Sequence, residues 1–280
     1  MKKKITDIFL GLIFLIGLSL IIYPVCSNLF SSQSYNDEIS SYTQIVDNLD
    51  DEKNKLLLEE AIEYNSKLLK SNDYTEIKIN NKSYNDILKT GKTDVIAYIK
   101  IDKLNVKLPI YHGTTEGTLE AGVGHLEWTS LPVGGIGTHS VLVGHRGLPA
   151  SKLFSDLDKM KVGDYFEIQV LNERLYYQVD DVSIVEPKEV SELKINKDED
   201  YVTLLTCTPY GINTHRLLVR GKRVDSKTEE EIVLSAAYKL DFLSSVKVFI
   251  LPISLIVLII IMISYTFYKK VIKKKRIRDI

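Results

Sequence analysis

Cysteine is almost absent from this 280-residue chain, which has two, Cys26 and Cys207. Cys26 lies at the edge of an apolar run near the N-terminus, so no framework of intrachain disulfides is expected, and a Cys-x-x-Cys zinc spacing is missing. The five histidines, His112, His125, His139, His145 and His215, have no i, i+4 pairing, so neither a metal nor any other cofactor is expected. Internal repeats and low-complexity stretches are absent too. Charge is missing from two places, residues 8–25 and 248–268. The net charge of −1 hides basic tails around an acidic middle, by roughly nine net charges, which argues against nucleic acid as a partner.

Both uncharged runs approach the ~20 apolar residues that cross a bilayer. Lys2, Lys3 and Lys4 precede the first, and Lys269, Lys270, Lys273, Lys274, Lys275, Arg276 and Arg278 follow the second. The positive-inside rule then puts both termini in the cytoplasm and the intervening segment outside the cell, with the lipid bilayer as a partner. A cleaved signal peptide is the rival for the first run, but no small-x-small site follows it. A lipid-attached Cys26 is disfavoured by the bulky Tyr23-Pro24-Val25 before it. The expected organisation is a tail and anchor over 1–30, a helical preface over 31–93, a main domain over 94–226, and a juxtamembrane linker over 227–247. A second transmembrane helix over 248–268 and a basic tail over 269–280 complete it.

In the preface, Ile39, Tyr42, Ile45, Val46, Leu49, Leu57, Leu58, Ala61, Ile62, Asn65, Leu68 and Leu69 recur mostly at steps of three and four, the mark of one amphipathic helix or two in series. Asp50-Asp51 marks the break. This stripe is expected to pack on the domain. After Asp94 the pattern changes to short runs rich in Val, Ile, Leu and Tyr at 95–101, 104–111, 139–145, 164–171, 174–186, 201–208 and 214–224. Seven strands with few helices imply a mainly β barrel or sandwich. Short helices are expected at 115–121, capped by Thr114 or Thr115, and at 151–157, capped by Ser151. Trp128, Tyr98, Tyr111, Tyr176 and Tyr177 read as packing residues, His125 and His139 as structural, and 188–200 as a long loop.

Cys207 ends one of these runs, in Thr203-Leu204-Leu205-Thr206-Cys207-Thr208-Pro209-Tyr210, and Asn213-Thr214-His215-Arg216 follows. A thiol with a pKa near ~8.5 acts as a nucleophile once a cation or a base supports its thiolate. If 201–208 and 214–224 pair as a hairpin centred near Gly211, Cys207 faces either His215 or Arg216, according to a one-residue choice of register. Arg220 lies four residues further on, about 13 Å at strand rise, and is out of reach. Among the histidines, His145 ends an apolar strand and precedes Arg146-Gly147-Leu148-Pro149, a turn that would hold an imidazole at a barrel rim.

Thr203-Leu204-Leu205-Thr206-Cys207 resembles the TLxTC signature of sortases, Arg216 falls where their arginine follows, and Gly144-His145-Arg146-Gly147-Leu148-Pro149 is similar to the histidine segment of the class C, pilus-assembling branch. The likeness continues through Leu108-Pro109-Ile110-Tyr111-His112-Gly113-Thr114, Gly122-Val123-Gly124-His125-Leu126-Glu127 and Leu131-Pro132-Val133-Gly134-Gly135. It implies an eight-stranded sortase barrel behind a helical segment, flanked by two transmembrane helices. It also implies a cysteine transpeptidase of a Gram-positive cell surface. Cys207 would attack between Thr and Gly of an LPxTG-like sorting signal, His145 would serve as acid and base, and Arg216 would stabilise the oxyanion. Pilin subunits bearing sorting signals would be the partners, with a pilin lysine as acceptor. Anchoring of single proteins to peptidoglycan, or a non-catalytic extracellular module, are the alternatives. Thr206, Pro209 and Tyr210 are candidates for the substrate groove. Many class C sortases carry an Asp-Pro-aromatic lid; this chain has no Asp-Pro, but Asn72-Asp73-Tyr74 stands in the corresponding region, which makes Asp73 and Tyr74 the candidate lid residues. Otherwise residues 70–91 read as a polar linker with a short strand at 76–79.

Overall fold

The β-branched and aromatic runs after residue 94 become strands because their inward side chains share one closed interior. The computed structural model of the protein describes residues 2–71, 77–91, 93–148, 151–225 and 228–229, excluding many side chains up to residue 25. Eight strands follow one another: β1 (Val95–Ile101), β2 (Val106–His112), β3 (Val123–His125), β4 (Thr138–Val143), β5 (Tyr165–Val170), β6 (Glu173–Val185), β7 (Asp200–Thr208) and β8 (His215–Arg223). They close in the order β1-β2-β3-β4-β7-β8-β6-β5, with β5 pairing back onto β1. Ile99, Ile110, Leu142, Ile168, Leu204 and Val219 are fully buried, and each such side chain removed from water is worth ~1.5–3 kcal/mol. Two neighbouring pairs are parallel, β2 with β3 and β4 with β7. The second of these lets two segments distant in sequence end side by side at one rim.

All seven expected runs form strands; β3 was not expected. Its three residues, Val123-Gly124-His125, are too few to show any periodicity. The first short helix is present as α3 (Glu116–Ala121), with Thr115 Oγ1 accepting from the Thr118 amide at 3.3 Å. The second is not. From Ser151 the chain runs through turns to a single 3-10 turn at Leu157–Lys159, because Leu153 takes a left-handed φ of 36°. Ser151 is no helix cap, since its hydroxyl bonds Tyr35 Oη at 2.8 Å.

The preface forms two helices, α1 (Lys2–Asp47) and α2 (Asp51–Leu68). The break expected at Asp50-Asp51 is a cap, Asp50 accepting from the Lys53 amide at 2.6 Å. Ile39, Tyr42, Val46, Leu57, Ala61 and Leu68 are buried, whereas Ile62 and Leu69, at the edges of the stripe, are exposed. Polar side chains fasten these helices to the barrel. Tyr42 Oη donates to Ile96 O at 3.0 Å and accepts from Leu171 N at 2.7 Å. Asn65 accepts from the Leu131 amide and donates to its carbonyl, at 2.8 and 3.0 Å.

Residues 77–91 are not a polar linker. Ile77, Ile79, Tyr84, Ile87 and Leu88 are buried in the main core, and the expected short strand is reduced to one bridge, Ile79 with Lys82. Charged residues between these anchors mask their spacing in the sequence. Asp73 and Tyr74, the candidate lid pair, lie outside the described residues. Among the described residues no helix is long and apolar enough to cross a membrane. Many side chains of the first uncharged run, and all of the second, lie outside those described.

Candidate active site

Hydrogen-bond register decides which residue faces the thiol. In the β7–β8 hairpin Cys207 pairs with Arg216 and Thr208 with His215. Alternation turns Thr206, 1% exposed, into the barrel and leaves Cys207 half-buried on the outer face. His215 is exposed, its Nδ1 2.9 Å from Thr214 Oγ1. Arg216 Nη1 donates to the carbonyls of Asn213 and His215 at 3.3 and 3.1 Å, so Nε and Nη2 are not used in these bonds. Arg220 belongs to a different structure. It forms two bonds to Asp180, at 3.1 and 3.0 Å, and lies over the Tyr201 ring.

His145 arrives from β4. The parallel ladder runs Leu142 with Leu204 and Val143 with Leu205, and the Gly144 amide extends it by donating to Leu205 O at 3.0 Å. Two further steps bring His145 level with Cys207. Cys207, Arg216 and His145 thus meet at one rim from β7, β8 and the end of β4, although His145 and Cys207 are far apart in sequence.

The threonines on either side of Cys207 hold the residues on either side of His145. Thr206 Oγ1 donates to Gly144 O at 2.7 Å, and Arg146 Nη1 donates to Thr208 Oγ1 at 2.8 Å. Arg146 is nearly buried, and its Nη2 also meets Asp158 at 2.7 Å. Behind the loop, the Phe154 amide donates to His145 O at 3.1 Å and the Gly147 amide to Ser155 Oγ at 3.1 Å. Residues 151–159 therefore brace the histidine loop in place of the helix expected there. Gly144 fits only without a side chain, because a Cβ would come within 2.6 Å of Phe154 Cδ2.

These contacts reassign one groove candidate. Thr206 points inward and its hydroxyl is engaged by Gly144, so it holds the histidine strand and cannot line a surface groove. Pro209 and Tyr210 are exposed just beyond Cys207, and the Tyr210 ring lies beside Gly147, whose Cβ, if present, would be 3.2 Å from Tyr210 Cζ. Sequence reading missed the bracing residues Phe154, Ser155 and Asp158, and it missed Glu116, whose Oε1 is 3.4 Å from His145 Nε2. The one available signal was that Arg146 directly follows His145.

Beside the trio the outer face is apolar. Val141, Leu193 and Leu218 are buried there, with Leu126, Trp128, Val143, Val185 and Leu205 packed around them. Leu193 belongs to the loop between β6 and β7, which His139 secures by donating from Nδ1 to Lys194 O at 2.9 Å, while Nε2 meets Thr203 Oγ1 at 2.7 Å. The other interior histidine bonds are structural as well. His125 Nε2 donates to Ser130 O at 2.7 Å and Nδ1 meets Tyr84 Oη at 2.8 Å. Burial lowers the pKa of His125 to about 3, of His112 to about 4, and of His139 below its ordinary value, so their neutral forms prevail near pH 7. Among the described residues no cluster of His, Cys, Asp and Glu could hold a metal ion.

A thiol, an imidazole and a guanidinium at one rim, next to an apolar strip, suit nucleophilic attack on a peptide carbonyl. A family model described as "Sortase domain" matches residues 99–224. Sortase D of Bacillus subtilis (strain 168) is 29% identical over 138 residues, 48% of this chain and 66% of that protein, so the chain spans just under two thirds of this relative. The crystal structure of sortase C1 from Streptococcus agalactiae is similar with a TM-score of 0.63 and 49% identity, over 67% of this chain and 98% of that one. Sortase C of Clostridium perfringens, solved with the C-terminal cell wall sorting motif, is similar with a TM-score of 0.60 and 49% identity, over 67% and 97% of the two chains.

Proposed function

Because this chain belongs to the sortase family of cysteine transpeptidases, in its class C branch, we propose that it is a membrane-anchored pilin polymerase whose nucleophile is Cys207. The observation that carries this reading is the pairing of Cys207 with Arg216 at the rim where β4 delivers His145. The substrate is an LPxTG-like sorting signal near the C-terminus of a pilin. The Cys207 thiolate attacks the carbonyl between Thr and Gly, the C–N bond breaks, and His145 protonates the departing glycine amine. A thioester remains on Cys207. The ε-amine of a lysine on a second pilin then attacks that carbonyl, His145 accepts its proton, and the thiolate leaves as an isopeptide bond forms.

Arg216 stabilises the oxyanion in both steps and holds the peptide; loss of such a donor typically costs about 2.7–4 kcal/mol of transition-state stabilisation. The apolar strip formed by Val143, Leu205, Leu218 and Val185 supports an apolar peptide lying along the outer face toward Cys207. The sorting motif carried by the C. perfringens relative supports the same substrate class. The uncharged runs at 8–25 and 248–268, each with basic residues on its far side, support anchoring in the cell membrane with both termini cytoplasmic. Tethering raises the enzyme's local concentration where pilins emerge.

The test is to incubate the full chain with a peptide carrying an LPxTG-like signal and to identify by mass spectrometry the fragment joined to Cys207. An acyl-enzyme ending in the signal's threonine, absent from Cys207→Ala and resolved by a pilin lysine, is expected. Resolution by a peptidoglycan amine but not by pilin lysine would favour single-protein anchoring. No acyl-enzyme at all would leave the thiol incidental.

A further inference from the structure

Glu116 stands outside the catalytic trio, at the first position of α3, yet its Oε1 lies 3.4 Å from His145 Nε2. That nitrogen exposes less than 1 Å² and makes no hydrogen bond among the described residues, while the imidazole side chain as a whole keeps 23% of its surface. The accessible part of the ring therefore lies away from Nε2. A ring nitrogen sealed from water without a partner is costly, and the Glu116 carboxylate is the acceptor placed within a small movement of it. Catalytic hydrogen bonds in enzymes without substrate are often long and tighten once substrate binds. The other charges near the ring do not fill this place. Arg146 is turned to Asp158 and Thr208, and Cys207 and Arg216 come from β7 and β8.

We infer that Glu116 is a positioning residue for His145: its carboxylate accepts a hydrogen bond from the Nε2–H and fixes the ring so that the opposite nitrogen serves Cys207 and the substrate amines. This rests on the reading in which His145 is the acid and base of the reaction. Each proton transfer then occurs at one nitrogen of a ring that cannot turn over. Glu116 is 75% exposed, so its charge is well screened, and the larger part of its effect is orientation.

The experiment compares wild type, Glu116→Gln, Glu116→Ala and His145→Ala in the full chain, with hydrolysis and lysine aminolysis of a sorting-signal peptide measured across pH. Glu116→Gln is expected to lower kcat roughly tenfold with KM little changed at every pH, because the ring loses its orientation and not its substrate. Glu116→Ala should lose more, with the Gln variant between it and wild type. Equal losses in hydrolysis and aminolysis are expected. A Gln profile superimposable on wild type with His145→Ala inactive would overturn the role of Glu116 alone. Loss of aminolysis with hydrolysis intact would overturn it in favour of direct binding of the incoming ammonium. Hydrolysis retained in His145→Ala would instead overturn the reading on which it rests.

Discussion

Thr206 Oγ1 donates to Gly144 O at 2.7 Å, joining the residue before Cys207 to the residue before His145. The two strands are parallel neighbours, so this bond fixes how far the His145 loop stands from Cys207. Thr206→Val keeps the shape of the side chain and removes the donor. A bond of this kind contributes about 0.5–1.5 kcal/mol to stability, and more when its loss leaves a buried acceptor unpaired. The expected result is a fall of roughly tenfold in kcat for peptide cleavage with KM nearly constant, and recovery in Thr206→Ser. Steady-state kinetics on the three proteins checks it, and an unchanged kcat in the valine variant would show that the bond does not govern the site.

Arg216 offers a sharper separation. In the proposed mechanism its place opposite Cys207 puts it at the carbonyl oxygen, where a planar fork can hold both that oxygen and the peptide. Arg216→Ala should reduce kcat/KM by about 10²–10³-fold, and Arg216→Lys should recover only part of this loss. Arg220→Lys, which disturbs the distant Asp180 pair, should stay within a few fold of wild type. Equal damage from both lysine variants would point to a general disturbance of β8.

How much of this could be read from the chain depended on length scale. The 95–101 run became β1 because hydrophobic spacing and β-branching agree over seven residues. The three residues of β3 were invisible for want of length, and the helix expected over 151–157 failed because its amides and hydroxyls serve the His145 loop and α1. Residues 77–91 misled for the opposite reason, since a few large apolar anchors hold a segment that is polar on average. At the site, the order of the motifs brought Cys207, His145 and Arg216 forward. Glu116 was illegible because it approaches His145 through the fold and not through any spacing.

Acid stability should report the buried histidines. His125 and His112 have folded-state pKa values lowered to about 3 and about 4 by burial, against an ordinary value near ~6.5 in the unfolded chain. Between these limits the unfolded state binds protons that the native state refuses, so stability must fall as pH drops below about 6.5 and continue falling toward pH 4. For His125 the neutral ring is fixed with its proton on Nε2, since Ser130 O can only accept. Melting temperature should decline by about 5–10 °C from pH 7 to pH 5. His125→Gln, less stable at pH 7, should show a shallower decline over that range, as calorimetry on both proteins would reveal. Parallel slopes would place the acid sensitivity elsewhere.

Gly144 tests whether the histidine's seat is rigid. A Cβ at this position would approach Phe154 Cδ2 to 2.6 Å and Phe154 Cγ to 2.9 Å, closer than carbon atoms tolerate, and Phe154 is itself fully buried. Gly144→Ala must therefore displace either the phenyl ring or the backbone that carries His145, with overpacking of this kind costing about 1–3 kcal/mol. The Phe154 amide bonds His145 O at 3.1 Å, so movement of one drags the other. Cys207 itself, held on β7, should still be alkylated by iodoacetamide. Peptide cleavage should fall by roughly tenfold or more, because a displacement near 1 Å is enough for that. Adding Phe154→Leu to Gly144→Ala makes room for the new methyl group and should restore part of the rate. Full cleavage by Gly144→Ala alone would mean that His145 finds its working position by moving during the reaction, and that the braces around it set stability and not geometry.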